Sequence, residues 1–209
     1  MTKKRHQSLA LGGIAGPVIF TIVIIIGAAL RSDYNHLHNF ISELGATGTS
    51  NAWLMNYVGF LASGILITLF GIALISSLPK KAMTMTGSIL ILLFGVGMFF
   101  DSFFSCDPGC PPNGSQEALM HDGISFFMFL FAIIGTILLG LSFRKLPLWK
   151  GFSTYSIVTG IVALIFLILM IYSMDSRVLT GLWQRLHLLT VFLWMVLIGL
   201  HIYNLPDSA

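Results

Sequence analysis

Six apolar segments of roughly 20 residues each dominate this chain, and few folds can bury them all. The predicted segments are residues 10–30, 53–76, 84–104, 122–142, 152–173 and 186–204. Only 9% of the 209 residues are charged, whereas roughly 25% is usual in a soluble domain. Because backbone amides in lipid must bond within their own segment, we expect six helices. The sequence therefore predicts an all-α membrane bundle that forms one six-span domain over residues 1–209.

The connections between these segments alternate in charge, which predicts how the bundle is oriented. Eight Lys and Arg residues fall on one side, namely Lys3, Lys4, Arg5, Lys80, Lys81, Arg144, Lys145 and Lys150. Only Arg31, Arg177 and Arg185 fall on the other side. Cytoplasmic loops carry the excess of Lys and Arg, so both termini are predicted to be cytoplasmic.

The acidic residues have the opposite distribution. Seven of the eight belong to the predicted outer side, namely Asp33, Glu43, Asp101, Asp107, Glu117, Asp122 and Asp175. Asp207 alone belongs to the inner side. The sequence pI near 9.0 then reflects loop lysines that face anionic lipid, so we expect the bilayer and not nucleic acid as the partner.

The first outer connection, residues 31–52, contains one short apolar pattern. Leu37, Phe40, Ile41 and Leu44 follow the i, i+3, i+4, i+7 spacing of one helical face. We therefore expect a short amphipathic helix that lies at the outer interface and ends at Gly45.

Both cysteines, Cys106 and Cys110, lie in the second outer connection. A disulfide is expected there, because that side is oxidising in a bacterial periplasm or an extracellular space. Two alternatives stay open: a zinc site that combines the thiolates with nearby histidines, and a pair of reduced thiols.

Histidine and carboxylate side chains collect on the predicted outer face, where they could form a metal site or an acid–base pair. The group consists of His36, His38, Glu43, Asp101, Asp107, His121, Asp122, Arg185 and His187. Asp101 is the most informative member, since a carboxylate in an apolar span normally has a partner or a task. One alternative is a structural ion pair between Asp101 and Arg185, and another is that outer loops are polar simply because they contact water.

Three short motifs resemble a known family. They are Ile41-Ser42-Glu43-Leu44-Gly45, then Phe104-Ser105-Cys106-Asp107-Pro108 with His121 downstream, and Gly181-Leu182-Trp183-Gln184-Arg185. The chain resembles the prokaryotic integral-membrane proteins of the domain-of-unknown-function family 998. The resemblance implies a multi-span helical membrane protein without an established activity, and it marks Glu43, Asp107, His121 and Arg185. Gln184 departs from the pattern, in which an acid is expected before the Arg.

These observations lead to two hypotheses, and they do not decide whether the protein is an enzyme. In the first, an outward-facing pocket binds an amphiphilic or lipid-derived substrate, and a divalent metal such as zinc assists its hydrolysis. Asp101, Asp107, His121 and His187 would be catalytic, with His121 and Asp101 as metal ligands. Glu43, Arg185 and His38 would bind the substrate, with Arg185 holding an anionic head group.

The second hypothesis is a non-catalytic sensor, assembly factor or partner subunit in which the same residues are structural. A transporter is less favoured, because its polar groups should reach mid-depth through broken helices. Under the first hypothesis, the arrangement of outer-face His, Asp and Ser residues on a helical bundle is similar to that of membrane hydrolases that use zinc to cleave lipid amides. The expected location is the cytoplasmic (inner) membrane of a prokaryote, with several membrane passes.

Overall fold

The computed structural model describes residues 3–205, so Asp207 lies outside the described residues. Six helices in this range are long and apolar enough to cross a membrane, as the sequence predicts. They are α1 (Lys4–Ala29), α2 (Leu54–Ser77), α3 (Ala82–Asp101), α4 (Gln116–Phe143), α5 (Pro147–Tyr172) and α6 (Thr180–Tyr203). The described residues contain no β-strand.

Five of the six helices begin earlier than their predicted apolar runs, and α4 and α6 are two of them. The first residue of α4 is 116 and not 122, and the first residue of α6 is 180 and not 186. Polar contacts stabilise these extensions: Ser115 Oγ accepts a hydrogen bond from Ala118 N at 3.2 Å, and Thr180 Oγ1 donates one to Ser173 O at 2.9 Å. A search for apolar segments misses such capped turns, because hydrogen bonds stabilise them and their residues are not apolar.

The helices form a closed ring around an aromatic interior. Each helix packs against the next, and α1 also packs against α6. Inside the ring, the Phe20 ring contacts those of Phe60 and Phe192 edge to face, with centroid distances of 5.3 and 5.6 Å. Phe94 continues the chain of rings at 6.4 Å from Phe192. Because these side chains come from four different helices, the interior is a shared core.

Glycines allow the helices to approach closely. Gly87 on α3 faces Gly135 on α4, and a Cβ atom added to either would lie 3.1 Å from the carbonyl oxygen of the other. Without an aqueous driving force between spans, such small residues let the backbones gain van der Waals contact.

The two ends of the ring differ in charge as predicted. One end carries the connections 30–53, 102–115 and 173–179, and we call it the polar end. The acids of these connections and of the adjoining helix ends lie there, whereas Lys80, Lys81, Arg144 and Lys145 lie at the opposite end.

The first connection contains a short helix that ends at Gly45 as predicted, but this helix is shorter than the apolar pattern and is buried. A 3₁₀ helix spans only Ile41–Gly45, and all five of its residues are buried, while Leu37 is 45% exposed. This short helix inserts into the bundle because side chains from other helices satisfy its backbone. Gln184 Oε1 accepts from Ile41 N at 2.7 Å, and Asn56 Nδ2 donates to Gly45 O at 3.0 Å.

Candidate functional site

A cavity of about 350 Å³ lies at the polar end, and we call it the polar-end cavity. Helices α4, α5 and α6 and all three polar-end connections contribute to it. The residues that line it are Phe40, Ser42, Cys110, Pro112, His121, Asp122, Ser125, Phe126, Phe129, Leu167, Met170, Ile171, Met174, Asp175, Arg177 and Gln184. Its volume falls within the roughly 300–1,000 Å³ of typical ligand pockets.

The lining of the cavity is divided into a polar and an apolar part. The wall along α5 is apolar and consists of Leu167, Met170 and Ile171. The α4 wall runs from His121 to Phe129, which is about 12 Å along a helix axis at 1.5 Å per residue. Polar side chains line its outer part and aromatic rings its inner part, so the cavity offers hydrogen bonds at one end only.

His121 is held in the α4 wall by two contacts from α3 and its following residues. Its Nδ1 lies 2.9 Å from Phe104 O and 3.5 Å from Asp101 Oδ1. Because a carbonyl oxygen only accepts, Nδ1 carries the proton in the neutral ring and Nε2 keeps its lone pair. Asp101 is buried and accepts a hydrogen bond from Ser125 Oγ at 2.7 Å. The predicted proximity of Asp101 and His121 is thus present, with Ser125 as the third member.

Glu43 is at the centre of a second network, which includes the cavity residues Phe40 and Arg177. Its carboxylate accepts from Phe40 N at 2.9 Å and from Asn39 Nδ2 at 2.7 Å, and it lies 3.4 Å from Arg177 Nη1. Arg31 Nη1 donates to Glu43 O at 2.7 Å. Both carboxylate oxygens of Glu43 are therefore engaged with the protein.

Arg177 lines the cavity, but its guanidinium is already occupied. Its Nη2 donates to Gly109 O at 2.8 Å and to Cys110 O at 2.5 Å. The guanidinium carbon also lies 4.6 Å from the centre of the Phe40 ring. Arg177 therefore joins the third connection to the first and second connections.

Arg185 lies away from the cavity lining. Its Nη1 donates to Asn39 O at 3.0 Å and Gly181 O at 2.8 Å, and its Nη2 donates to the Tyr34 hydroxyl. Burial raises the pKa of Tyr34 above its ordinary value, although the positive charge of Arg185 opposes this. The alternative ion pair between Asp101 and Arg185 is absent, since Asp101 contacts Ser125 and His121 instead.

The remaining predicted site residues occupy three other places. Asp107 holds the second connection closed by accepting from Ser115 N at 2.5 Å and Ser115 Oγ at 2.9 Å. His38 Nδ1 contacts the third connection, where it lies 3.1 Å from Arg177 O and 3.3 Å from Leu179 N. His187 is fully buried in α6, where its Nδ1 donates to Ala163 O at 2.9 Å, and it does not line the cavity.

The predicted disulfide is present between Cys106 and Cys110. It closes the turn that presents the Gly109 and Cys110 carbonyls to Arg177. Cys110 also lines the cavity, and its sulfur lies 3.5 Å from Ser42 Oγ. The disulfide therefore shapes the polar rim of the cavity.

Comparison with known proteins assigns a family. A family model described as "Protein of unknown function (DUF998)" matches residues 14–201, which is most of the chain. The chain belongs to the DUF998 family. Neither a curated protein nor a solved structure matches it. Membership of this family confirms the resemblance seen in the motifs of Glu43, Asp107, His121 and Arg185. The family description names no reaction.

The donor set at this site in the DUF998 protein does not fit a zinc ion. Catalytic zinc sites use three protein ligands, whereas Asp101 and His121 supply two. Among residues 3–205, no three His, Cys, Asp or Glu side chains form a group that could hold a metal ion. Asp101 Oδ2 and His121 Nδ1 are also engaged by Ser125 Oγ and Phe104 O.

Several cavity residues were not predicted as site residues, and one of them has a sequence signal. Ser125 follows His121 by four residues on α4, and the i, i+4 spacing puts both on one helical face. Gln184, where an acid was expected, both lines the cavity and accepts from Ile41 N. Arg177 and Asp175 had no such signal, because they lie in an irregular connection.

Proposed function

We propose that this DUF998 protein binds an amphiphilic, lipid-derived molecule in the polar-end cavity. The hydrocarbon chain would lie against Leu167, Met170 and Ile171, and the head group would face Ser42 and Ser125. The observation that carries this proposal is the division of the lining into an apolar wall and a polar rim. An amphiphile matches both parts at once, whereas a fully polar solute would leave the apolar wall unpaired.

The exposed cavity residues support entry from the bilayer. Phe126 on α4 and Ile171 on α5 line the cavity, and they are 43% and 46% exposed. The cavity wall is therefore continuous with the lipid-facing surface between these helices. A ligand that arrives in the membrane would enter sideways without crossing the three connections.

A reaction on the bound molecule is a second candidate function, and His121 is the observation that favours it. The hydrogen bond from Nδ1 to Phe104 O leaves Nε2 as a proton acceptor beside the cavity, with Asp101 behind the ring. A histidine oriented in this way is suited to general-base catalysis, which typically contributes about 10²–10⁴-fold. His121→Ala would then lower turnover of a bound ester or amide about 10²–10⁴-fold while leaving binding measurable.

The polar end is proposed to face the outside of a prokaryotic cytoplasmic membrane. Two observations support this orientation: the excess of Lys and Arg at the opposite end, and the disulfide at the polar end. A ligand in the outer leaflet would then reach the cavity directly.

The binding proposal is tested with the purified full-length protein in nanodiscs of zwitterionic lipid. Equilibrium binding of radiolabelled decyl-chain amphiphiles is measured after subtraction of empty nanodiscs. Met170 is 8% exposed on the cavity wall, so Met170→Trp should fill the cavity and abolish the saturable component. Ile171→Trp, at the more exposed rim, tests the same space with less risk to folding.

The matched control is Met83→Trp, because Met83 is exposed on α3 at the opposite end of the bundle. It should bind as well as the wild type. If no decyl amphiphile binds saturably, or if Met170→Trp and Ile171→Trp both bind like Met83→Trp, the proposed function is wrong. The outer polar residues would then have only structural roles.

A further inference from the structure

The charges around the polar-end cavity select the head group. Three charged residues line it, namely Asp122, Asp175 and Arg177. Among the described residues, neither Asp122 nor Asp175 accepts a hydrogen bond or pairs with a cation. Both carboxylates are exposed at the polar end, one on α4 and the other just after α5. They therefore approach the cavity mouth from two of the elements that form it.

The single cation of the cavity is not available to an anionic ligand. Arg177 donates to two carbonyl oxygens in the second connection and lies 3.4 Å from the Glu43 carboxylate. The three charged residues of the lining carry a net charge of −1, and the Glu43 carboxylate further offsets the positive charge of Arg177. An anionic head group would have to displace these bonds and would also face two carboxylates.

Aromatic rings add a second feature that favours a cation. Phe126 and Phe129 line the cavity on the same helix as Asp122. The face of an aromatic ring attracts an ammonium group, and quaternary ammonium ligands are recognised in this way. The Phe40 ring already has this contact, with the guanidinium of Arg177. Carboxylates at the mouth and rings below them suit a positive group attached to a hydrocarbon chain.

We infer that the ligand of the polar-end cavity is a cationic amphiphile, with an amine or quaternary ammonium head group between Asp122 and Asp175. This inference rests on the proposed function, since it names the ligand class of the same cavity. It differs from the sequence-based expectation of an anionic head group on Arg185, whose guanidinium donates to Asn39, Gly181 and Tyr34 outside the cavity.

The test compares three ligands that share a decyl chain and differ in head-group charge: decyltrimethylammonium, decyl glucoside and decyl sulfate. Each is titrated into the wild-type protein in zwitterionic nanodiscs at fixed ionic strength. Exposed ion pairs contribute up to roughly fivefold each in affinity. We therefore expect the cation to bind about tenfold or more tightly than decyl sulfate, and more tightly than the neutral glucoside.

Variants then assign the preference to the two carboxylates. Asp122→Asn and Asp175→Asn should each weaken decyltrimethylammonium binding about three- to fivefold, and the double variant should lose the preference for a cation. Asp33→Asn is the matched control, because it removes an exposed carboxylate at the polar end that does not line the cavity. It should leave all three affinities unchanged.

The outcomes distinguish a failure of the head-group inference from a failure of the proposed binding function. If the glucoside or the sulfate binds as tightly as the cation, and the Asp122 and Asp175 variants do not alter binding, the head-group inference is overturned. The binding function still stands in that case, provided that Met170→Trp blocks the cavity. If Met170→Trp and Ile171→Trp leave all three isotherms unchanged, the binding function itself fails.

Discussion

Replacement of Glu43 should destabilise the bundle more than replacement of any exposed acid at the polar end. The Glu43 side chain is buried, and each of its carboxylate oxygens accepts a hydrogen bond, from Phe40 N at 2.9 Å and from Asn39 Nδ2 at 2.7 Å. Glu43→Ala removes both acceptors and leaves the buried Phe40 amide without a partner. Arg177 loses a contact of 3.4 Å but keeps its two carbonyl acceptors.

The expected loss follows from these contacts. An unpaired buried donor costs about 1–3 kcal/mol, and a partly exposed ion pair contributes about 0–1 kcal/mol. We therefore expect Glu43→Ala to lower the free energy of unfolding by about 3 kcal/mol. Glu43→Gln keeps an oxygen for Phe40 N but turns an NH₂ group toward Asn39 Nδ2. Asn39 cannot flip without cost, because its Oδ1 accepts from Asn35 N at 2.8 Å, so we expect a loss of about 1–2 kcal/mol.

The measurement is an equilibrium titration with SDS in mixed micelles, followed by tryptophan fluorescence and far-ultraviolet circular dichroism. Asp33→Asn is the matched control, because Asp33 is an exposed carboxylate of the same connection that pairs with Arg31 at 2.5 Å. It should shift the midpoint far less than Glu43→Ala. A Glu43→Ala protein as stable as Asp33→Asn would refute the burial argument, and so would a Glu43→Gln protein less stable than Glu43→Ala.

Three further predictions concern the polar end. The double variant Cys106→Ser, Cys110→Ser should stay folded and lose at most about 2 kcal/mol in the same titration, because the closed loop is very short. Burial raises the pKa of Tyr34 above its ordinary value of 10.0, so the folded state keeps a proton that the unfolded chain releases. The stability of the wild type should therefore fall as the pH rises above 10. The stability of Tyr34→Phe should fall less over the same pH range. In intact cells, a membrane-impermeant maleimide should label Asp33→Cys, and it should label Lys80→Cys only after lysis; the reverse pattern would contradict the predicted orientation.

The features that the sequence predicted are those encoded by neighbouring residues. The helical spans follow from local hydropathy. The charge difference between the two ends follows from the sign of the charged residues in each connection. The Cys106–Cys110 disulfide follows from two cysteines in one short loop. The pairing of Asp101 with His121 was also predictable, because the end of α3 and the start of α4 must lie at the same end of the bundle.

The roles of the two arginines could not be predicted in this way. Arg177 and Arg185 lie eight positions apart, and both belong to the predicted outer side. Arg177 and Leu179 have left-handed φ angles of 57° and 62°, so the short third connection bends sharply before α6. This bend directs Arg177 to the cavity lining and leaves Arg185 beside Tyr34. Propensity disfavours positive φ at both residues, and only tertiary contacts such as that of Leu179 N with His38 Nδ1 stabilise it.

The buried 3₁₀ helix determines which residues can test the chemistry of the cavity. Its backbone is satisfied by side chains from elsewhere: Gln184 accepts from Ile41 N, Asn56 donates to Gly45 O, and Arg31 donates to Glu43 O. Gln184 also lines the cavity, so a substitution there changes ligand contacts and backbone support together.

Asp122 and Asp175 differ from Gln184 in this respect. Both line the cavity, both are exposed, and neither side chain makes a hydrogen bond or a salt bridge among residues 3–205. Their replacement should leave the SDS midpoint unchanged, because no intramolecular bond is lost. A fall in ligand affinity without a change in stability is therefore expected at these two carboxylates, whereas at Gln184 affinity and stability should fall together. If the Asp122 and Asp175 variants lost stability in proportion to affinity, the two carboxylates would be structural, and the preference for a cation would need another origin.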